Sequence, residues 1–189
     1  MPPAVLAAPC VFSVDGTDIP ALGAALVELE VAGEENRPSR CTAAFGATFT
    51  GSDFIDRRQL DFGRHFKVSR SGATLFEGVI VGLGLRVMPA SPPLVQVVAE
   101  DALQRLADVR RTRTFTNLSD GDIVQRLAAD HGLQAIPEPS GPTYPSVSQL
   151  VTSDLDFLGE RLRRLDAWMW ADGTTLRARP RRIRPSGAF

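Results

Sequence analysis

The sequence predicts an α+β protein that is mainly β, a small β-barrel followed by a helix-plus-hairpin domain. Three observations lead there. Residues 1–100 contain about six or seven short runs that alternate apolar with polar or carry glycine inside a strand pattern. At Glu100-Asp101 the composition changes, and helical spacing appears for the first time. From Ser148 to Arg179 a capped helix runs directly into a hairpin, with the apolar period switching from 3.6 to 2.

The totals narrow the class. A chain of 189 residues, 43% hydrophobic and 23% charged, is long enough for one core or two small ones. Its net charge of −1 gives no general attraction for nucleic acid or anionic lipid. No run approaches the roughly 20 apolar residues of a membrane span, and the start lacks the pattern of a signal peptide, so folding in the cytoplasm is expected. Cys10 and Cys41 are too few for a disulfide framework and lack zinc-site spacing.

In the first domain, VFSVDGTDI (11–19) is a hairpin candidate turning at Asp15-Gly16. Leu26 to Val31 alternates like a half-buried strand, and the polar stretch GEENRPSR separates it from a returning strand, Cys41 to Phe49. Residues 50–63 have no sustained period and read as loop or a short helical turn. His65 to Ser69 alternates again, Ser71-Gly72 turns, and a long strand to Met88 holds Gly78, Gly82 and Gly84, the mark of bulges or barrel corners. Leu94 to Ala99 completes the set. In an open sheet, Leu75–Met88 and Leu94–Ala99 would be exposed edges that invite pairing with another chain.

In the second domain, residues 101–180, Asp101 to Asp108 reads as a short helix and Arg111 to Phe115 as a brief extended piece. Ser119 caps a helix with Ile123, Val124, Leu127 and Ala128 on its apolar stripe, ended by Gly132. Residues 134–147, with four prolines, read only as an extended connector. Ser153 caps the next helix, whose stripe is Leu155, Leu158, Leu162 and Leu165, widened by Phe157. Trp168 and Trp170 then share one face of a strand, and Asp172-Gly173 is the expected type I′ pair. Arg177, Arg179 and Arg181 share a strand face, and residues 181–189 form a basic tail.

The order FTNLSDGDIVQRLAADHGL, proline-rich spacer, SQLVTSDLDFLGERLRRLDAWMWADGTTLRAR resembles the late control protein D family of phages and the VgrG-like hubs of contractile injection systems. The resemblance covers residues 110–180, and the first hundred fit that family's tail-tube-like barrel in outline. It implies a structural baseplate or tail hub subunit that joins the tail tube to the spike or baseplate through ring assembly, as a trimer or alternatively a hexamer. The implied partners are other copies of itself, tail tube protein, and spike or other baseplate proteins. The implied location is the tail baseplate of a virion or injection particle, after assembly in the bacterial cytoplasm. The sequence ends at Phe189, before the second barrel and spike that the family pattern places next. The residues expected to serve assembly are Phe115, Asn117, Asp156, Phe157, Trp168, Trp170, Arg177 and Arg179.

No catalytic constellation can be assembled. GxSxG, HExxH and a phosphate-cradling glycine loop are absent, and no cofactor or metal is expected. His65 reads as a strand residue and His131 as a helix-end residue facing terminal carbonyls or solvent. Asp154 and Asp156 point to different sides of a helix, where capping accounts for them better than paired acid–base work. A carbohydrate- or peptidoglycan-binding β module stacking sugars on Trp168 and Trp170 is the alternative. The arginine stripe suits an intersubunit contact or a plain exposed tail, ahead of nucleic acid.

Overall fold

The computed structural model describes residues 9–46, 59–87, 89 and 91–181. Two compact units emerge: one contains the chain up to Ala32 with Arg40–Glu100, the other Gly33–Ser39 with the chain from Asp101 onward. The architecture is α+β and mainly β.

Among the described residues the first unit is one antiparallel sheet of seven strands, in the order β2-β1-β5-β6-β7-β4-β3. Its strands are β1 (Cys10–Val14), β2 (Thr17–Asp18), β3 (Leu26–Ala32), β4 (Arg40–Gly46), β5 (His65–Arg70), β6 (Ala73–Arg86) and β7 (Leu94–Glu100). Asp15 and Gly16, like Ser71 and Gly72, all have positive φ, so both tight turns are of type I′. The sheet is rolled. In a flat sheet β1 and β4, four places apart, would be separated by roughly 19 Å. Instead Phe12 of β1 and Phe45 of β4 touch edge to face with ring centroids 5.1 Å apart, and Phe66 stands 5.9 Å from Phe12. One face of every long strand thus points into a single core of Phe12, Cys41, Phe45, Phe66, Val68, Ile80 and Val97. Helix α1 (Pro20–Ala25) buries Leu22 in that core and touches both β1 and β4.

Glycine makes the roll possible. β6 pairs with β5 up to Val79 and with β7 from Val79 onward, and at this corner Gly78 passes so close to β7 that a Cβ would lie 2.2 Å from the carbonyl oxygen of Glu100. Two features depart from the sequence reading. β6 and β7 are interior strands, and the edges are β2 and β3, because the chain places the β3–β4 pair outside β7. Nor does β3 alternate cleanly: a bulge between Leu26 and Glu28 turns Leu26 and Leu29 toward the core and leaves Val27 and Val31 outside. The segment expected as loop or helical turn lies largely outside the described residues, as do residues 47–49 of the 41–49 strand and residues 182–189 of the basic tail.

The second unit packs two helices and a 3-10 turn on short strands. The 3-10 helix (Ala102–Leu106), shorter than the 101–108 helix expected, is capped by Asp101, whose carboxylate accepts from the Leu103 and Ser39 backbone N–H groups. Strand β8 (Arg110–Leu118) pairs with β10 (Tyr144–Ser153) as a two-stranded ribbon. Helix α2 (Asp120–Asp130) carries a full capping box between Ser119 and Asp122 and ends at Gly132, φ 67°. Helix α3 (Asp154–Arg164) is capped by Ser153, with Arg161, Arg163 and Arg164 in its last turn. Strands β9 (Gln134–Pro137), β11 (Ala167–Asp172) and β12 (Thr175–Pro180) form a sheet in the order β11-β12-β9. Phe115, Ile123, Leu127, Leu155, Leu158, Leu162, Met169 and Leu176 lie in one core.

Residues 134–147 are therefore more than a connector. β9 runs parallel to β12 at the sheet edge, with Gln134 and Glu138 N–H groups donating to Thr174 and Ala178 carbonyls. Pro137 occupies the outward register, where its missing N–H costs nothing. The hairpin turn is also one residue later than expected. Asp172 pairs with Thr175, and Gly173 but not Thr174 has positive φ, the pattern of a type II′ turn.

Candidate assembly surface

The expected assembly residues fall into three places in the second unit. Phe115 and Phe157 are both in the core, stacked at 5.6 Å with planes 15° apart, and join β8 to α3. Their role in the structure is to fix the ribbon against the helix. Asn117 is exposed near the end of β8 with φ 55°, a conformation asparagine tolerates better than most residues. Asp156 is exposed on α3, where its carboxylate accepts from the Ser153 hydroxyl at 2.8 Å and from Arg37 Nη1 at 3.1 Å.

Trp168, Trp170, Arg177 and Arg179 are brought together. Trp168 pairs with Arg179 and Trp170 with Arg177 across β11–β12, which puts all four on one face, opposite Met169, Leu176 and Ala178 in the core. The indoles stack at 4.5 Å, and the Arg179 guanidinium stands 5.8 Å from the Trp170 ring centre. Trp168 is buried and Trp170 half-buried, so the tryptophans use ring faces on each other. The arginines do not form an open cationic stripe. Arg177 donates to Asp172 at 2.9 Å, Arg179 to Glu138, and Arg181 to Glu35 at 2.7 Å. What remains is an aromatic and charge-matched surface, the side-chain chemistry typical of interface hot spots.

The second unit also holds a buried polar centre that the sequence reading missed. Asp154, at the start of α3 and without solvent contact, accepts from Arg113 Nη2 at 2.6 Å, Gln149 Nε2 at 2.7 Å and His131 Nε2 at 2.8 Å. Gln149 also donates to the Thr152 carbonyl and accepts from Arg113 Nε, while Arg113 reaches Asp130 at 2.9 Å. Burial by itself would raise the Asp154 carboxyl; the bonds from Gln149, His131 and Arg113, with the charge of Arg113, outweigh it and hold the group below the usual carboxylate value. His131 thus faces a carboxylate, because the helix end and the α3 N-terminus converge there. Asp120 is a second buried carboxylate, bonded by Arg161 Nε and by the Tyr144 hydroxyl at 3.1 Å, with Arg161 stacked 4.4 Å over the Tyr144 ring.

The segment 33–39 completes the unit. Asn36 Oδ1 accepts from the Met169 backbone N–H at 2.9 Å, covering the free edge of β11, and Gly159 of α3 has just enough room for the Asn36 side chain. Among the described residues no group of three or more potential metal-ligating side chains occurs, and no helix is long and apolar enough to cross a membrane.

Solved structures with this fold include tail proteins and a secretion-system component. The 43 kDa tail protein of prophage MuSo2 from Shewanella oneidensis superposes with a TM-score of 0.73 at 13% identity, over 90% of this chain and 52% of its own. The c3393 protein of E. coli, described as a type VI secretion component structurally similar to T4 tail proteins gp27 and gp5, gives 0.61 at 15% identity, over 88% and 48%. A Francisella PdpA–VgrG complex gives 0.55 at 11% identity, over 90% and 31%. The chain therefore spans about half the length of the first two and less of the third. Comparison with curated proteins gives no match. The family model described as the Alg8 N-terminal domain matches residues 65–181, well over half of the sequence, and the chain belongs to that family.

Proposed function

We propose that this chain is a non-enzymatic hub subunit of a phage tail or contractile injection system, joining the tail tube to the spike or baseplate. The observation that carries the reading is the combination of a rolled seven-stranded barrel and a helix–hairpin unit in one chain, an order shared over about nine-tenths of its length with tail proteins. The mechanism is geometric. Copies of the barrel closed into a ring present a circular platform on which tube protein nucleates, and the aromatic, charge-matched face of β11–β12 serves contacts with neighbouring baseplate chains. A trimer is the assembly first expected, a hexamer the second. Assembly takes place in the bacterial cytoplasm and the product resides in the tail baseplate.

Light scattering after size exclusion tests this directly, with and without the tail-tube protein of the same system. A closed oligomer, or a larger complex appearing only with tube protein, is the expected result. A monomer indifferent to tube protein overturns the reading.

A further inference from the structure

Edges of the sheets are treated unequally. β2 is two residues long, β9 carries Pro137 outward, and the β11 edge is covered by Asn36. Among the described residues β3 has no such protection: Leu26–Ala32, LVELEVA, lacks proline, lysine and arginine, pairs there only with β4, and leaves Val27 61% and Val31 42% exposed. Long apolar edges of this kind are strand-pairing sites unless something covers them. Pairing of β3 with β3 of another copy would set Glu28 and Glu30 against their equivalents, and like charges across a pair repel. The edge calls for a cationic, partly apolar counterpart.

The chain offers one. Val109, Arg110 and Arg111 are exposed where β8 begins, and next to them in the ribbon, opposite Thr112 and between Gln149 and Thr152, a bulge leaves Leu150 and Val151 68% and 69% exposed. Val151 has φ 45°, a left-handed conformation that strains a β-branched residue. The Gln149 bond to the Thr152 carbonyl spans and fixes the bulge. The fold thus accepts strain to keep two apolar side chains in water beside two arginines. Among the described residues neither Glu30 nor Arg110 has an ion-pair partner.

We propose that the acidic edge strand β3 of one copy docks on the Val109–Arg111 and Leu150–Val151 patch of a second copy. This rests on the ring-assembly reading and supplies its joint. Because the two surfaces differ, the contact is head to tail, so it closes a ring or, failing closure, extends a filament.

Charge reversal decides it. Glu30→Arg and Arg110→Glu each change an exposed side chain and should each weaken self-association at least about tenfold, since like charges meet across the contact. An equimolar mixture of the two variants should regain association, because the new cation of the first variant then meets the new carboxylate of the second; a change within one chain would not be rescued by mixing. Leu150→Ser should weaken association without altering the circular-dichroism spectrum. If the wild-type chain associates and both reversed variants keep its mass, or if their mixture stays monomeric, this interface is wrong and the hub reading survives. If the wild type is monomeric at ~100 µM yet binds tube protein, the interface likewise fails alone. If it does neither, both proposals fall.

Discussion

Gln149 and Asp154 share a 2.7 Å hydrogen bond at a point where neither side chain touches solvent, although one lies within a strand ribbon, beside its bulge, and the other begins a helix. The carboxylate has four lone-pair directions, and Arg113 and His131 fill two more of them. Such a centre specifies one packing of ribbon against helix, since removing any member leaves another buried and unsatisfied.

Asp154→Ala is therefore expected to cost about 3–5 kcal/mol, the range for breaking a buried charge pair. Urea unfolding followed by tryptophan fluorescence gives the number. A loss below about 1 kcal/mol would mean that Arg113 finds Asp130 a sufficient partner.

The same group sets an acid limit. A carboxyl held below its unfolded value of 3.8 binds its proton more weakly in the folded state, so its stabilisation is complete above that value and drains away as pH falls through the lower folded one. Asp122 and Asp15, lowered by hydrogen bonds from Ser119 and Arg64, act in the same direction from the surface. Stability of the wild type should fall below about pH 4, and Asp154→Asn should flatten part of that fall. Identical pH profiles would remove Asp154 from the account.

Much of the fold is legible in the sequence, and the exceptions have physical causes. The glycine corner, the turns at Asp15-Gly16 and Ser71-Gly72, the Ser119 and Ser153 caps and the tryptophan strand are local, so neighbouring residues suffice to read them. The parallel pairing of β9 is not, because its proline sits at an edge register that only β12 defines. The polar centre is equally hidden: Arg113, His131, Gln149 and Asp154 come from four separate elements and have no shared spacing. The tryptophan–arginine face is visible as a pattern, whereas its carboxylate partners Glu35 and Glu138 lie far away in sequence.

Cys41 offers a probe of the barrel interior. It is fully buried, and burial first, with the Cys10 thiol second, pushes its pKa up to about 12. At pH 8 a maleimide should modify Cys10, which is partly exposed, and leave Cys41 untouched until the protein is unfolded. Two fast labels in the native protein would show that the barrel opens.

Gly78 tests the corner of the roll. Gly78→Ala places a methyl 2.2 Å from the Glu100 carbonyl oxygen and 2.8 Å from the Phe76 ring, with backbone on one side and no flexible neighbour to yield. Destabilisation of about 2–3 kcal/mol is expected, as for overpacking elsewhere. Gly84→Ala, whose Cβ would meet only Gln96 at 3.9 Å, should cost far less, so equal losses would show that strand propensity and not the close approach is at issue.

Phe12 and Phe45 give the most direct test that the sheet is rolled. Their contact exists only if β1 and β4, four places apart in the sheet, curve toward each other. Truncating either to Ala should cost about 3–5 kcal/mol. In a double-mutant cycle with Leu replacements, the pair should couple by about 0.5–1.5 kcal/mol beyond the single losses. An open sheet would keep the single losses if other residues covered the rings, but it would bring the coupling to zero, because the two side chains would then never meet.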